Sequence, residues 1–177
     1  MQIFQTDFST FNSKIMKTVK IQILRDDVVA DAARTSAFAA GRAADPDAVD
    51  RIAADEGALE MLNLFWTEAA AVVAARLRDF IVSVDYALGS FAMVLSLSSA
   101  YDDAQSNSLS RDIYSSMVAS VTAQWYAMAN KPDAPAMQAK ADALLEAAAA
   151  RCTHRLRPQR RLAPRVKGEE SRVKVLS

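Results

Sequence analysis

The chain has 177 residues, only four glycines and five prolines, and much alanine, leucine, valine and methionine, a balance that fits one mainly helical domain with flanking segments. Its neutral formal charge averages two unlike parts: residues 151–177 carry nine basic and two acidic side chains, +7, leaving 12 basic and 19 acidic before them, −7. A single cysteine, Cys152, excludes an internal disulfide, and no apolar run approaches the roughly 20 residues needed to cross a bilayer.

Residues 1–16 read as an N-terminal extension. They have neither a basic n-region nor an apolar h-region, so a signal peptide is not expected. Met16 is a second plausible start. Phe4, Phe8 and Phe11 would pack somewhere if this arm is ordered. The domain proper is expected over 17–156.

The first predicted helix runs from about Ile21 to Ala40. Ile21, Leu24, Val28 and Ala32 recur at helical spacing, and Gly41 is placed to stop the helix. Asp-Pro-Asp at 45–47 marks a loop from Ala43 to Asp55, with Ile52 as its anchor. A second helix, about Ala58 to Ile81, steps through Leu62, Phe65/Trp66, Ala69, Val73, Leu77 and Phe80. Its wide apolar face suits the centre of the fold.

The period then changes to two. Phe91, Met93, Leu95 and Leu97 alternate with Ala92, Val94, Ser96 and Ser98, which predicts a strand with one large apolar face. Residues 81–84 could form its antiparallel mate. A lone hairpin is marginal in water, so it must lie on helices or be completed by another chain. Both pairing arrangements, within the chain and between chains, stay open.

The third helix, about Ser106 to Ala129, places Leu109, Ile113, Met117, Val121 and Trp125 four residues apart, with Ser106, Asn107 or Ser108 as its cap. Asn130-Lys131-Pro132-Asp133 breaks it. A fourth helix, with Pro135 in its first turn, runs to about His154, so the last two helices should form an antiparallel hairpin. Beyond Leu156, prolines and arginines make 157–177 a basic extended tail. The fold class is therefore mainly α: four helices, a short β-strand or hairpin between helices two and three, and the tail.

Candidate chemistry is sparse. Cys152 and His154 are two apart, and on a helix they point in different directions, so neither a metal site nor a nucleophile pair is expected. Asp26-Asp27 and Asp102-Asp103 read better as capping or solvated carboxylates than as acid–base or magnesium groups. Glycine-rich phosphate loops and the Gly-x-Ser-x-Gly elbow are absent from the sequence. Trp66 and Trp125 sit on apolar helix faces and read as core. No catalytic, metal-binding or cofactor-binding residue is assigned.

The tail is the segment with a functional reading. Arg155, Arg157, Arg160, Arg161 and Arg165 can pair with carboxylates or phosphates. Aromatic residues that would stack on bases are missing from 151–177, so nucleic acid is a possible partner but not the favoured one. Docking on an acidic protein surface, such as a second copy, is preferred.

The order of elements over about residues 17–165 resembles the head–tail connector (adaptor) proteins of tailed bacteriophages. The local wording that carries this is Ile-Gln-Ile-Leu-Arg-Asp-Asp-Val (21–28), Leu-Phe-Trp-Thr-Glu-Ala (64–69), Trp-Tyr-Ala-Met-Ala-Asn-Lys-Pro (125–132) and Arg-Leu-Arg-Pro (155–158). These segments are similar to uncharacterised virion proteins of Bacteroidales phages. The resemblance implies a non-enzymatic structural protein forming a ring, commonly dodecameric, with portal and tail proteins as partners. It implies a place in the neck of the virion, after synthesis in the host bacterial cytoplasm. In such a subunit Phe91, Met93, Leu95 and Leu97 would pack the β element on the helices. The five arginines would dock on a neighbour.

Overall fold

A computed structural model describes residues 16–41, 56–87, 89–129 and 132–155. Within them the elements run β1 (Met16–Leu24), α1 (Arg25–Gly41), α2 (Leu59–Leu77), β2 (Ile81–Asp85), β3 (Ser90–Ser98), α3 (Ser106–Met128) and α4 (Ala134–Cys152). The fold is mainly helical, with four helices and a small antiparallel sheet of order β1-β3-β2.

The first segment differs from its expected form. Ile21 and Leu24 belong to a strand, and the helix starts only at Arg25. The spacing 21, 24, 28 imitates a helical stripe, but Val19, Ile21 and Ile23 also alternate with Lys20 and Gln22. Alternation prevails because Ile21 and Ile23 reach the core while Lys20, Gln22 and Leu24 face outward. Nine residues of β1 pair with β3 from Met16↔Ser98 to Leu24↔Ser90. The β element is thus completed from within the chain. It has three strands, one of them ahead of the first helix.

Strand β3 is the middle of the sheet. Phe91, Met93, Leu95 and Leu97 are each at most 1% exposed and belong to the main core. β2 covers its other edge, with a register shift between Ile81 and Ser83 that leaves Val82 protruding. Gly89 takes φ +83 at the turn into β3, a conformation that favours glycine. Its carbonyl accepts from Arg25 N–H at 2.9 Å, so this turn also fixes the junction of β1 and α1.

The helices cover the apolar face of the sheet. α3 is the hub, packing on α1, α2, α4 and β1. Leu109, Ile113, Met117 and Val121 are fully buried along one side of it. Ser106, Asn107 and Ser108 do not cap this helix. A short 3₁₀ turn over Asp103–Gln105 precedes it, and the Asp102 carboxylate accepts from Ala104 N–H at 3.1 Å. Pro135 sits in the first turn of α4. Ala123, Gln124 and Ala127 of α3 line one groove with Ala134, Pro135 and Gln138 of α4. Arg151 at the other end of α4 reaches Asp112 near the start of α3, so the two helices run antiparallel. The expected loop at 43–55, including Ile52, lies outside the described residues.

A fully buried leucine in the central strand should be costly to truncate. Leu95→Ala is expected to lower stability by about 2–5 kcal/mol. Ser96→Ala, one residue along on the outer face, should stay within about 0.5 kcal/mol. Urea denaturation of both variants checks the pair, and equal losses would place Leu95 outside the core.

Candidate functional site

The surface that best fits a role is the corner around Arg155, the last described residue, where the arginine-rich segment begins. It is built from three chain regions. β3 ends at Ser98, and Tyr101, 0% exposed, turns back to donate its N–H to the Ser98 carbonyl at 2.8 Å. Arg155 then forms an isolated antiparallel bridge with Tyr101. Lys17 of β1 closes the corner: its Nζ donates to the Tyr101 carbonyl at 2.8 Å and to Asp103 Oδ2 at 2.7 Å. Since Met16 pairs with Ser98, the start of β1 lies near Arg155, just past the end of α4.

A second clamp stands behind this exit. Arg151 Nε donates to Asp112 Oδ2 at 2.5 Å, and Arg151 Nη1 donates to Gln105 Oε1 at 2.8 Å. Asp112 is only 16% exposed, so this pair is better shielded than the surface pairs Arg25–Asp26, Arg34–Asp31 and Arg76–Glu146. The last turn of α4 therefore cannot swing freely from α3. Arg155, bridged to Tyr101, is itself exposed.

Of the five arginines singled out in the sequence, Arg155 is at this corner. Arg157, Arg160, Arg161 and Arg165 lie outside the described residues. Phe91, Met93, Leu95 and Leu97 lie in the core beneath the corner rather than in it. Sequence reasoning missed Lys17, Tyr101, Asp112 and Arg151. Only the Val19/Ile21/Ile23 alternation could have pointed to Lys17, through the strand it starts.

The remaining chemical candidates are kept apart. Cys152 is buried, its thiol pushed up to about 11 chiefly by desolvation, while His154 is exposed. They do not share a cleft. Asp102 caps a turn, Asp103 binds Lys17, and Asp26 binds Arg25. Among the described residues no three of His, Cys, Asp and Glu gather to hold a metal, and no helix is long and apolar enough to cross a membrane. Trp66 is buried and Trp125 packs against the core.

No family model matches this chain, and no curated protein or solved structure matches it either. The corner and the charge pattern stand on their own geometry.

One polar cluster on the helical side holds the body together and gives it a pH signature. Tyr114 of α3 donates through its hydroxyl to Asp31 Oδ2 at 2.5 Å, tying α3 to α1. That hydrogen bond is the main reason the Asp31 carboxyl is held below its usual 3.8; burial opposes the shift, and Arg34 adds to it. A carboxylate depressed in the folded state stabilises the fold above its unfolded pKa, and that stability is lost as pH falls through the folded value. Tyr114→Phe should therefore cost about 1 kcal/mol at pH 7. Denaturation curves across pH should show the gap between wild type and variant closing below 3.8. A gap that stays constant down to strong acid would mean that the bond does not select the charged form of Asp31.

Proposed function

We propose that this chain is a structural assembly subunit: a head–tail connector (adaptor) that forms an oligomeric ring between the portal and the tail of a phage particle. The observation that carries the reading is the anchored root of the arginine-rich segment. Arg151 and Arg155 are tied to α3 and to Tyr101, while the body preceding them has a net charge of −7. A cationic segment rooted on its own acidic body is suited to lie on the acidic body of a neighbour. Repeated head to tail, that contact closes into a ring. The placement between portal and tail, and hence in the virion neck, rests on the likeness of residues 21–28, 64–69, 125–132 and 155–158 to connector proteins. No chemistry is assigned to the chain in this role.

The test is mass measurement at micromolar concentration, alone and with the portal protein of the same phage. The chain is expected to assemble on the portal as a ring. Replacing Arg157, Arg160, Arg161 and Arg165 together by alanine should abolish or strongly weaken that assembly. A strict monomer that ignores the portal contradicts the reading. Binding to duplex DNA that falls steeply with salt and vanishes on deleting 155–177 would point instead to a nucleic-acid-binding accessory protein.

A further inference from the structure

A three-stranded sheet with its longest strand pair at one side has two edges, and they differ. The β1 edge is nine residues long, holds an unbroken register with β3, and contains no glycine, proline or bulge. Its backbone bonding can be read from a single contact. Arg25 N–H donates to the Gly89 carbonyl, one step beyond the Leu24↔Ser90 pair, so the odd residues of β1 exchange their bonds with β3. On the other side of β3, Ser96 N–H donates to the Phe80 carbonyl, so the even residues of β3 serve β2. Thr18, Lys20 and Gln22 therefore turn their backbone N–H and C=O groups away from the sheet, and no strand among the described residues meets them. Such an edge is a template for pairing with another chain.

The β2 edge is the opposite terminus of the same sheet. Ser83 and Asp85 lie opposite Val94 and Ala92, which leaves the backbone of Val84 at the free edge, next to the bulge at Val82. Val82 is 66% exposed and adds apolar surface beside that edge.

Charge decides which edge can meet which. β1 carries Lys17 and Lys20 and no acid, whereas β2 carries Asp85 and no base. Lys17 is committed to Asp103. Lys20 and Asp85 are both exposed on the outer face of the sheet, and neither forms an ion pair among the described residues. Two β1 edges brought together would oppose lysine to lysine. A β1 edge laid on the β2 edge of a second copy sets lysine beside aspartate on one face.

We infer that the β1 edge of one copy pairs with the β2 edge of the next. Both strands are antiparallel to β3 and hence run in the same direction, so a sheet extended from copy to copy is joined by a parallel β2–β1 seam. This contact is heterologous: each copy offers a different edge on each side, which is the geometry that propagates around a ring. The inference rests on the ring reading above and names the surface that makes it. The basic segment would then strengthen a contact whose register the strands set.

Thr18 and Ser83 are neutral, exposed, and on the outer face of the two edge strands, and a parallel seam that sets Lys20 beside Asp85 also sets Thr18 beside Ser83, so they suit a cross-linking test. Full-length Thr18→Cys and Ser83→Cys variants are assembled on the portal, singly and mixed, and treated with a short bismaleimide. Buried Cys152 makes the wild type an internal control. Neither single variant should cross-link to itself, whereas the mixture should give covalent dimers. In parallel, Lys20→Glu and Asp85→Lys should each weaken assembly several-fold, and the two reversals combined in one chain should restore it. Self-cross-linking of either single variant overturns the inference in favour of a two-fold contact. Portal-bound rings with no cross-link in the mixture, or with assembly indifferent to Lys20→Glu, overturn it too, with Lys20 then only guarding the edge, while leaving the connector reading intact. A chain that never assembles on the portal defeats both.

Discussion

Strand β3 is the constraint on which the rest of the molecule depends. Four large apolar side chains on one face must leave water together, worth about 1.5–3 kcal/mol each, and they can do so only on a strand held flat against the helices. Holding it flat requires backbone partners on both edges, because unpaired amides next to a core are expensive. β2 supplies one edge locally. The other comes from β1, whose pairing joins Met16 to Ser98 across most of the described fold. That distant pairing draws the entry of the chain to the end of β3, where Tyr101 receives Arg155. The corner that holds Arg155 is therefore a consequence of completing the sheet.

Much of the helical framework was legible from spacing. Leu109, Ile113, Met117 and Val121 repeat every four residues, and all four are buried along α3. The alternation in 91–98 revealed β3 because its outer row is small or polar, so the contrast between faces is sharp. β1 was hidden by two coincidences. Its apolar residues include Leu24, which faces outward, and a true helix follows without a break at Arg25, so a helical stripe could be extended backwards through it. The capping of the third helix was misjudged because Ser106, Asn107 and Ser108 at its start outweighed Asp102 one turn earlier.

The candidate site was less legible than the fold, and for a physical reason. Composition alone separates the −7 body from the +7 segment. It cannot show that Arg151 is spent on Asp112 while the Arg155 side chain is exposed, since both are arginines in one basic run. Likewise Lys17 and Lys20 look alike in sequence, yet one closes the corner on Asp103 and the other stands exposed at an open edge. Pairing sorts these charges into structural and available ones. Among the described residues, Lys20, Asp85 and Arg155 are exposed and in no ion pair with one another or with other described residues, the kind of charge an assembling subunit would use.

Residue-resolved amide hydrogen exchange on the monomer, at a concentration too low for assembly, tests the central role of β3 most directly. If β3 is paired on both sides within one chain, its amides from Phe91 to Leu97 exchange only on global unfolding. β1 should then alternate, with Lys17, Val19, Ile21 and Ile23 protected and Thr18, Lys20 and Gln22 fast. Fast exchange along the whole of β1, with β3 protected on alternate residues only, would contradict it: β3 would then have one partner in the isolated chain, and the sheet would not be complete before assembly.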